Sequence, residues 1–208
     1  ARAVVEPGGA AAHGAAPGAG LEGALRSRGR ALAGIVPGID ASVWNAATDP
    51  HLAARFDAVD LKKVGPSDKA RCKSALQQEL GLPVRDDVLI VGCALSESPG
   101  SGLEILAGAL AAIARNDVQV AIALEGAEGP IAARLAALAV RFPDRLRMRS
   151  GVEADLVHRV IGSSDVLAVS APDDSTAMRP MQAHRYGTLP IVRRLGLAAD
   201  TVVDCDAQ

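Results

Sequence analysis

Aromatic residues are scarce in this sequence: they make up 2% of its 208 positions, with one tryptophan, one tyrosine and two phenylalanines. A core with so few large rings must consist mainly of alanine, valine, leucine and isoleucine, which allow helices and strands to approach closely. Cysteine is scarce too, and Cys72, Cys93 and Cys205 lie far apart without a CxxC or Cys/His pattern. Their spacing indicates neither a disulfide framework nor a zinc site, and it fits a reducing compartment.

Long apolar runs and a strong net charge are also missing. No stretch reaches the roughly 18 consecutive apolar residues that a transmembrane helix needs, so no membrane span is predicted. The formal net charge of -2 at pH 7 gives no field that would attract nucleic acid or an anionic membrane surface. With 49% hydrophobic and 22% charged residues, the composition is that of one ordinary globular domain.

The first part of the chain is rich in small residues. Residues 1–20 are mainly alanine, glycine and proline, which predicts a flexible arm rather than part of a core. The start at Ala1 instead of Met fits processing from a longer precursor or a shortened sequence. A short basic helix is predicted at residues 21–30, and an ordered loop rich in Gly, Asp, Asn and Pro at residues 38–50.

From residue 88 onward, short apolar runs alternate with amphipathic stretches. This pattern is typical of the α/β class, with a Rossmann-like parallel sheet covered by helices on both faces. We predict VLIVGC, residues 88–93, as the central strand and a ligand site outside the carboxyl ends of the strands. Further strands are predicted at residues 118–124, 145–149, 166–169 and 189–192. Helices are predicted at residues 67–80, 103–115, 131–141, 154–161 and 178–185.

The only tryptophan lies in VPGIDASVWNAATDP, residues 36–50, within a Gly-Ile-Asp-x-x-Val-Trp-Asn frame that core packing does not demand. This frame resembles the NGVDxxVWNPxTDP segment of bacterial glycogen synthases and plastid starch synthases. Three more blocks follow the family order: GLEGALRSRG (20–29), KSALQQELGLP (73–83), and RYGTLPIVRRLG (185–196) with ADTVVD (199–204). The resemblance is nearly continuous over residues 18–204.

The resemblance implies the fold of the C-terminal, donor-binding half of a GT-B glycosyltransferase. Residues 21–87 would correspond to a helix and loop region between the two halves, and residues 88–208 to a truncated Rossmann-like domain. The acceptor-side half of the family has no counterpart in this sequence. ADP-glucose would be the donor if activity is retained, and no other cofactor or metal is implied.

The sequence departs from the family where the donor diphosphate is bound. The family segment SRLTEQKG carries an arginine and a lysine that neutralise this charge. The segment CALSESPGSG here has Ala94 at the arginine position, and Pro99-Gly100-Ser101 replaces the lysine. Either a glycine-rich phosphate loop containing Gly100 and Gly102 or a plain strand-to-helix turn fits this segment.

The second donor segment of the family, PSRFEPCGLTQ, corresponds to residues 170–180. Asp174 stands at the glutamate position, and Ala177 replaces the glycine. The pair Asp173-Asp174 reads either as an acid/base or metal pair or as the N-cap cluster of the following helix. Asp174 is the one catalytic candidate that the resemblance offers.

Three further residues are candidates on their own. Arg193 and Arg194 end a strand at the ligand edge, where they indicate a weak anion site, a capped sheet edge or a contact with a protein partner. His158 matches a histidine of the family pattern, and we interpret it as a packed or surface-facing helix residue rather than a catalyst.

These departures predict a degenerate, non-catalytic relative of the synthases that acts as a structural or accessory component of a larger assembly in a plastid. Ile39, Val43 and Trp44 form the predicted contact surface for protein partners, because this loop lies by the junction of the halves in the resembled enzymes. One alternative is part of an active ADP-glucose:α-1,4-glucan glucosyltransferase. Another is a regulatory module that binds α-glucan or a nucleotide, and a bacterial cytoplasm is the alternative location.

Overall fold

A five-stranded parallel sheet forms the centre of the structure. The computed structural model describes residues 21–31, 37–57, 68–96, 103–126, 129–169, 178–194 and 196–205, and the predicted arm at residues 1–20 lies outside them. The strands are β1 Leu89–Ser96, β2 Val118–Glu125, β3 Leu146–Ser150, β4 Val166–Val169 and β5 Leu189–Val192. The helices are α1 Glu22–Arg28, α2 Asp68–Leu80, α3 Leu103–Ile113, α4 Pro130–Arg141, α5 Ala154–Ser163, α6 Arg179–Arg185 and α7 Gly196–Thr201.

The strand order is β3-β2-β1-β4-β5, so β1 is central, as predicted. β1 and β2 are buried on both faces along most of their length, which is why their sequences are nearly continuous apolar runs. β1 extends three residues beyond its predicted end, because its register with β2 continues as far as the pair Ser96 and Glu125. All carboxyl ends of the strands therefore meet at one edge of the sheet, where parallel α/β folds bind ligands.

Helices cover both faces of the sheet, as predicted. On one face, Ile90 and Ala94 of β1 share a core cluster with residues of α2, α5 and the segment 37–57. On the other face, Val91 and Cys93 share a cluster with residues of α3 and α4. This division follows from the alternation of side chains along a strand. The division of the chain into residues 21–87 and residues 88–208 stays a prediction. In the structure, residues before and after this boundary contribute side chains to the same apolar core.

Two lysines fasten α2 to the amino-terminal edge of the sheet. Lys69 Nζ donates to the Tyr186 carbonyl oxygen at 2.8 Å, to Thr188 Oγ1 at 2.8 Å and to the Gly162 carbonyl oxygen at 3.2 Å. Lys73 Nζ forms a 2.8 Å ion pair with Asp165 Oδ2. Burial lowers the pKa of Lys69 to about 8. The three oxygen partners satisfy this lysine where water reaches it poorly.

Two helical details differ from the sequence expectation. The predicted helix at residues 21–30 is α1 followed by a 3₁₀ turn, Gly29–Ala31. The short helix α7 was not predicted. Cys72 and Cys93 are buried thiols that form no disulfide. No helix within the described ranges has the length and apolarity needed to cross a lipid bilayer.

Close contact between β1 and the end of α5 depends on a residue without a side chain. A Cβ added to Gly92 would lie 2.3 Å from Ser164 Oγ and 2.9 Å from Ser164 Cβ. Ser164 Oγ is itself held by a 2.7 Å bond to the Val160 carbonyl oxygen. The added carbon therefore requires β1 and α5 to separate.

We predict that Gly92→Ala lowers the free energy of unfolding by about 2 kcal/mol, the usual range for an overpacked core. Gly108→Ala is the matched control, because a Cβ at this exposed position in α3 meets nothing within 4 Å. Alanine there should be neutral or slightly stabilising. Urea denaturation measures both, and equal unfolding midpoints for the two variants would contradict the close contact.

Candidate functional site

The tryptophan segment folds as a series of tight turns in which three acidic or amide side chains bond their own backbone. Asp40, Asn45 and Asp49 each accept a hydrogen bond from the backbone N–H two positions further on. These donors are Ser42 at 2.8 Å, Ala47 at 3.1 Å and His51 at 2.8 Å. Such turns are the ordinary use of Asp and Asn in loops. They explain why the motif carries these residues at these positions.

The carboxylate of Asp49 is buried and joins three parts of the chain. The residue is 1% exposed. Its Oδ2 accepts hydrogen bonds from the Tyr186 hydroxyl and, at 2.7 Å, from Nδ1 of His158. His158 lies on α5 and Tyr186 directly follows α6, and both side chains are buried. Asp49 therefore holds the segment 37–57 against two helices of the sheet domain.

The protonation states of this network follow from its contacts. Burial alone would raise the pKa of Asp49, but hydrogen bonds from Tyr186 and His158 outweigh it and hold that pKa below its usual range. Burial and the bond to Asp49 raise the pKa of Tyr186. A carboxylate can only accept, so Nδ1 of His158 carries a proton. The network thus consists of an ionised acid and two donors.

Trp44 packs on this network. Its ring stacks on His158 with the ring centroids 3.8 Å apart and an angle of 10° between the planes. It meets Tyr186 edge to face at 6.3 Å. The guanidinium carbon of Arg179 lies over the same ring at 6.0 Å from its centroid, within the range of a cation–π contact. Trp44 therefore links the Asp49 network to Arg179.

Arg179 belongs to the carboxyl edge of the sheet. It begins α6, and its Nη2 pairs at 2.9 Å with Oε2 of Glu125, the last residue of β2. Nη1 donates to Gln182 Oε1 at 3.1 Å. Arg179 is 6% exposed, and its Nε finds no hydrogen-bond acceptor in the described part of the chain. A buried cation with an unused donor thus lies where the fold class binds ligands.

Some of the residues that the donor motifs suggested lie within the described ranges, and the others lie outside them. Ala94, which the motif resemblance aligns with the family arginine, lies in β1 and is 4% exposed. Arg193 and Arg194 follow β5 directly and are exposed. Gly100, Gly102 and Asp174 lie outside the described residues. The N-cap of α6 is Met178, which makes no side-chain capping bond. Asp173 also lies outside the described residues, so both interpretations of the Asp173-Asp174 pair stay predictions.

The predicted interface residues differ in exposure. Ile39 and Trp44 are half-buried, and the Trp44 ring is engaged inside the chain. Val43 is 47% exposed. His158 is packed rather than accessible, in agreement with its interpretation as a helix residue. Within the ranges that the structure describes, no group of three His, Cys, Asp or Glu side chains could hold a metal ion.

Sequence reasoning missed Asp49, Tyr186, Glu125 and Arg179. Asp49 and Tyr186 both lie inside quoted blocks, in ATDP and RYG, so their place in a shared motif was an available signal. Glu125 and Arg179 are 54 positions apart, and neither stands in a pattern that indicates the other.

Comparison with known proteins accounts for this combination of fold and motif. The chain is 40% identical over 189 residues to a glycogen synthase of Anaeromyxobacter dehalogenans, matching 91% of this chain and 38% of that protein. A glycogen synthase of Bordetella bronchiseptica is 38% identical over 189 residues, which is 90% of this chain and 36% of that protein. The chain is a homologue of the glycogen synthases. No family model matches it.

A solved structure supports the same relationship. The catalytic domain of starch synthase IV from Arabidopsis thaliana, bound to ADP and acarbose, superposes with a TM-score of 0.77 and 29% identity. The match covers 91% of this chain and 38% of that one. The fold of this glycogen synthase homologue is therefore that of a GT-B glycosyltransferase domain, as the motif resemblance implied. It spans under two-fifths of the length of these relatives.

We predict that Asp49→Asn lowers the free energy of unfolding by about 3 kcal/mol at pH 7, because it removes the buried carboxylate that accepts hydrogen bonds from Tyr186 and His158. The folded-state pKa of Asp49 lies below the ordinary value of 3.8. The stabilisation is therefore complete above pH 3.8 and declines as the pH falls through the lower folded-state value. Trp44 fluorescence during urea denaturation measures this, since the chain has one tryptophan.

Asp144→Asn, at an exposed turn, is the matched control and should leave the unfolding midpoint unchanged. A difference between wild type and Asp49→Asn that stays constant from pH 7 to well below pH 3.8 would contradict an ionised Asp49 at the centre of the network.

Proposed function

We propose that this chain is the sugar-nucleotide-side domain of a glycogen or starch synthase-like protein in which glucosyl transfer has been lost. It then serves as a structural or accessory component of a larger assembly. The observation that carries the proposal is Ala94, a buried apolar residue in the central strand at the position of the motif arginine.

The size of the expected loss follows from the chemistry of transfer. Negative charge builds on the diphosphate as the glucosyl bond breaks, and fixed cations stabilise that charge. Removing one such contact costs about 2.7–4 kcal/mol, taking an oxyanion-hole donor as the measure. Losing both the arginine and the lysine therefore lowers the rate on the order of 10⁴-fold or more. Such a protein keeps the fold and loses the reaction.

The buried contacts that hold the fold together are, by contrast, retained. Asp49, His158 and Tyr186 form a complete buried network, and Val43 beside it leaves an apolar side chain in solvent. Val43 is the exposed member of the predicted contact surface, and we place the contact with protein partners there. The starch synthase likeness favours a plastid complex, and the bacterial relatives favour a bacterial cytoplasm.

An active ADP-glucose:α-1,4-glucan glucosyltransferase is the second candidate. The specific observation in its favour is that the motif network around Asp49 is complete, in a chain 40% identical to glycogen synthases. In this case an α-glucan would be the acceptor, and Asp174 would stand at the position of the motif glutamate.

Radiolabelled ADP-glucose and a glucan primer separate the two candidates. Both the purified chain and the native assemblies captured through it should give no incorporation above a blank without protein. Incorporation well above the blank that is abolished by Asp174→Ala would establish transfer and sink the non-catalytic proposal.

The partner surface is tested best at Val43. Val43→Asp should weaken association because it places a charge in an apolar contact, while stability stays unchanged because its side chain lies outside the Asp49 network. Val140→Asp, at an 82% exposed position on α4, is the matched control. Sedimentation of native assemblies measures the effect. A monodisperse monomer, or assemblies that Val43→Asp leaves intact, would contradict this surface.

A further inference from the structure

The guanidinium of Arg179 is buried, and one of its three nitrogens makes no hydrogen bond with the described residues. Nη2 pairs with Glu125 at 2.9 Å and Nη1 with Gln182 at 3.1 Å, while Nε has no acceptor among the described residues. Buried N–H groups in native proteins nearly always have a partner, and exceptions point to a missing ligand, ion or water. This nitrogen therefore calls for an oxygen that the described residues do not supply.

The pair with Glu125 fills only half of the guanidinium fork. Arginine and carboxylate often form two parallel bonds, whereas here Oε2 alone bonds Nη2 and the adjacent Nε stays free. The Glu125 side chain is 37% exposed and that of Arg179 is 8% exposed. The carboxylate thus lies on the solvent side. An oxyanion arriving from solvent can take Nη2 and Nε together while Glu125 turns to water.

The pair formed by Arg179 and Glu125 lies near Ala94, the position at which this sequence has no arginine. Glu125 is in register with Ser96, two residues beyond Ala94 on the neighbouring strand. Arg179 is thus a buried cation at the carboxyl edge, and it is paired there with the end of β2 rather than with β1. Trp44, with its ring 6.0 Å from the guanidinium carbon, holds it there.

We propose that Arg179 binds the diphosphate of a sugar nucleotide at the carboxyl edge of the sheet, and that Glu125 occupies the guanidinium until the ligand arrives. The inference rests on the proposed function in one respect: the edge remains a sugar-nucleotide site although transfer is lost. The inference concerns binding and not the reaction. One cation can hold a diphosphate in the ground state, whereas transfer also uses the arginine and lysine that this sequence lacks.

Calorimetric titration of the purified chain with ADP and with adenosine isolates the diphosphate contribution, since only ADP carries phosphate. Arg179→Gln should weaken ADP binding on the order of 10- to 100-fold, the effect of one charged hydrogen-bonding contact, and leave adenosine binding unchanged. Glu125→Gln should strengthen ADP binding, because it removes the competing carboxylate. Arg134→Gln, an exposed arginine on α4, is the control and should change neither.

Loss of Arg179 leaves Glu125 unpaired, so folding is checked by thermal denaturation of each variant. Arg179→Lys keeps the positive charge but loses the planar fork, and it should also weaken ADP binding. If Arg179→Gln does not fold, Arg179→Lys and Glu125→Gln decide the matter through their opposite effects on ADP affinity.

Three results would overturn the inference. The first is ADP binding by the wild type that is no tighter than adenosine binding. The second is equal ADP affinity for the wild type, Arg179→Gln and Arg179→Lys. The third is a Glu125→Gln variant that binds ADP no more tightly than the wild type, which would show that the carboxylate does not compete with the diphosphate for Arg179. Glucose transfer by a chain that binds ADP through Arg179 would contradict the proposed function alone.

Discussion

A single buried carboxylate organises this protein. An ionised acid out of contact with water must be paired, and Asp49 takes hydrogen bonds from Tyr186, His158 and the His51 backbone. Its position fixes the tight turns of the segment 37–57 against α5 and α6. Loss of this charge removes the buried polar attachment of the tryptophan segment and leaves only its apolar packing, through residues such as Leu52 and Phe56, to hold it.

The consequences reach the ligand edge through direct contacts. His158, fixed by Asp49, carries the stacked ring of Trp44, and that ring lies under the guanidinium of Arg179. Arg179 in turn pairs with Glu125 at the end of β2. One continuous chain of contacts therefore runs from a loop motif to the edge where a sugar nucleotide would bind. Ala94 lies outside this chain of contacts, so its apolar side chain leaves the support of Arg179 unchanged.

The sheet was predictable and the network was not, for physical reasons. Continuous apolar runs report burial on both faces, so VLIVGC was placed correctly at the centre from its composition alone. The tryptophan frame stood out as a motif, yet a motif does not say which distant residues meet it. His158 and Tyr186 lie 109 and 137 positions from Asp49. The Glu125 and Arg179 pair had no local signal, because it depends on how β2 and α6 meet in space.

Hydrogen exchange tests most directly whether Asp49 makes the tryptophan segment part of the sheet domain. The amides of Asp49, His51 and Phe56 are hydrogen-bonded within the segment, and those of β1 are bonded within the sheet. If Asp49 anchors the segment, all of these amides exchange with the same opening free energy, that of global unfolding. Exchange of the segment amides through a separate, much less costly opening, while β1 stays protected, would contradict the account.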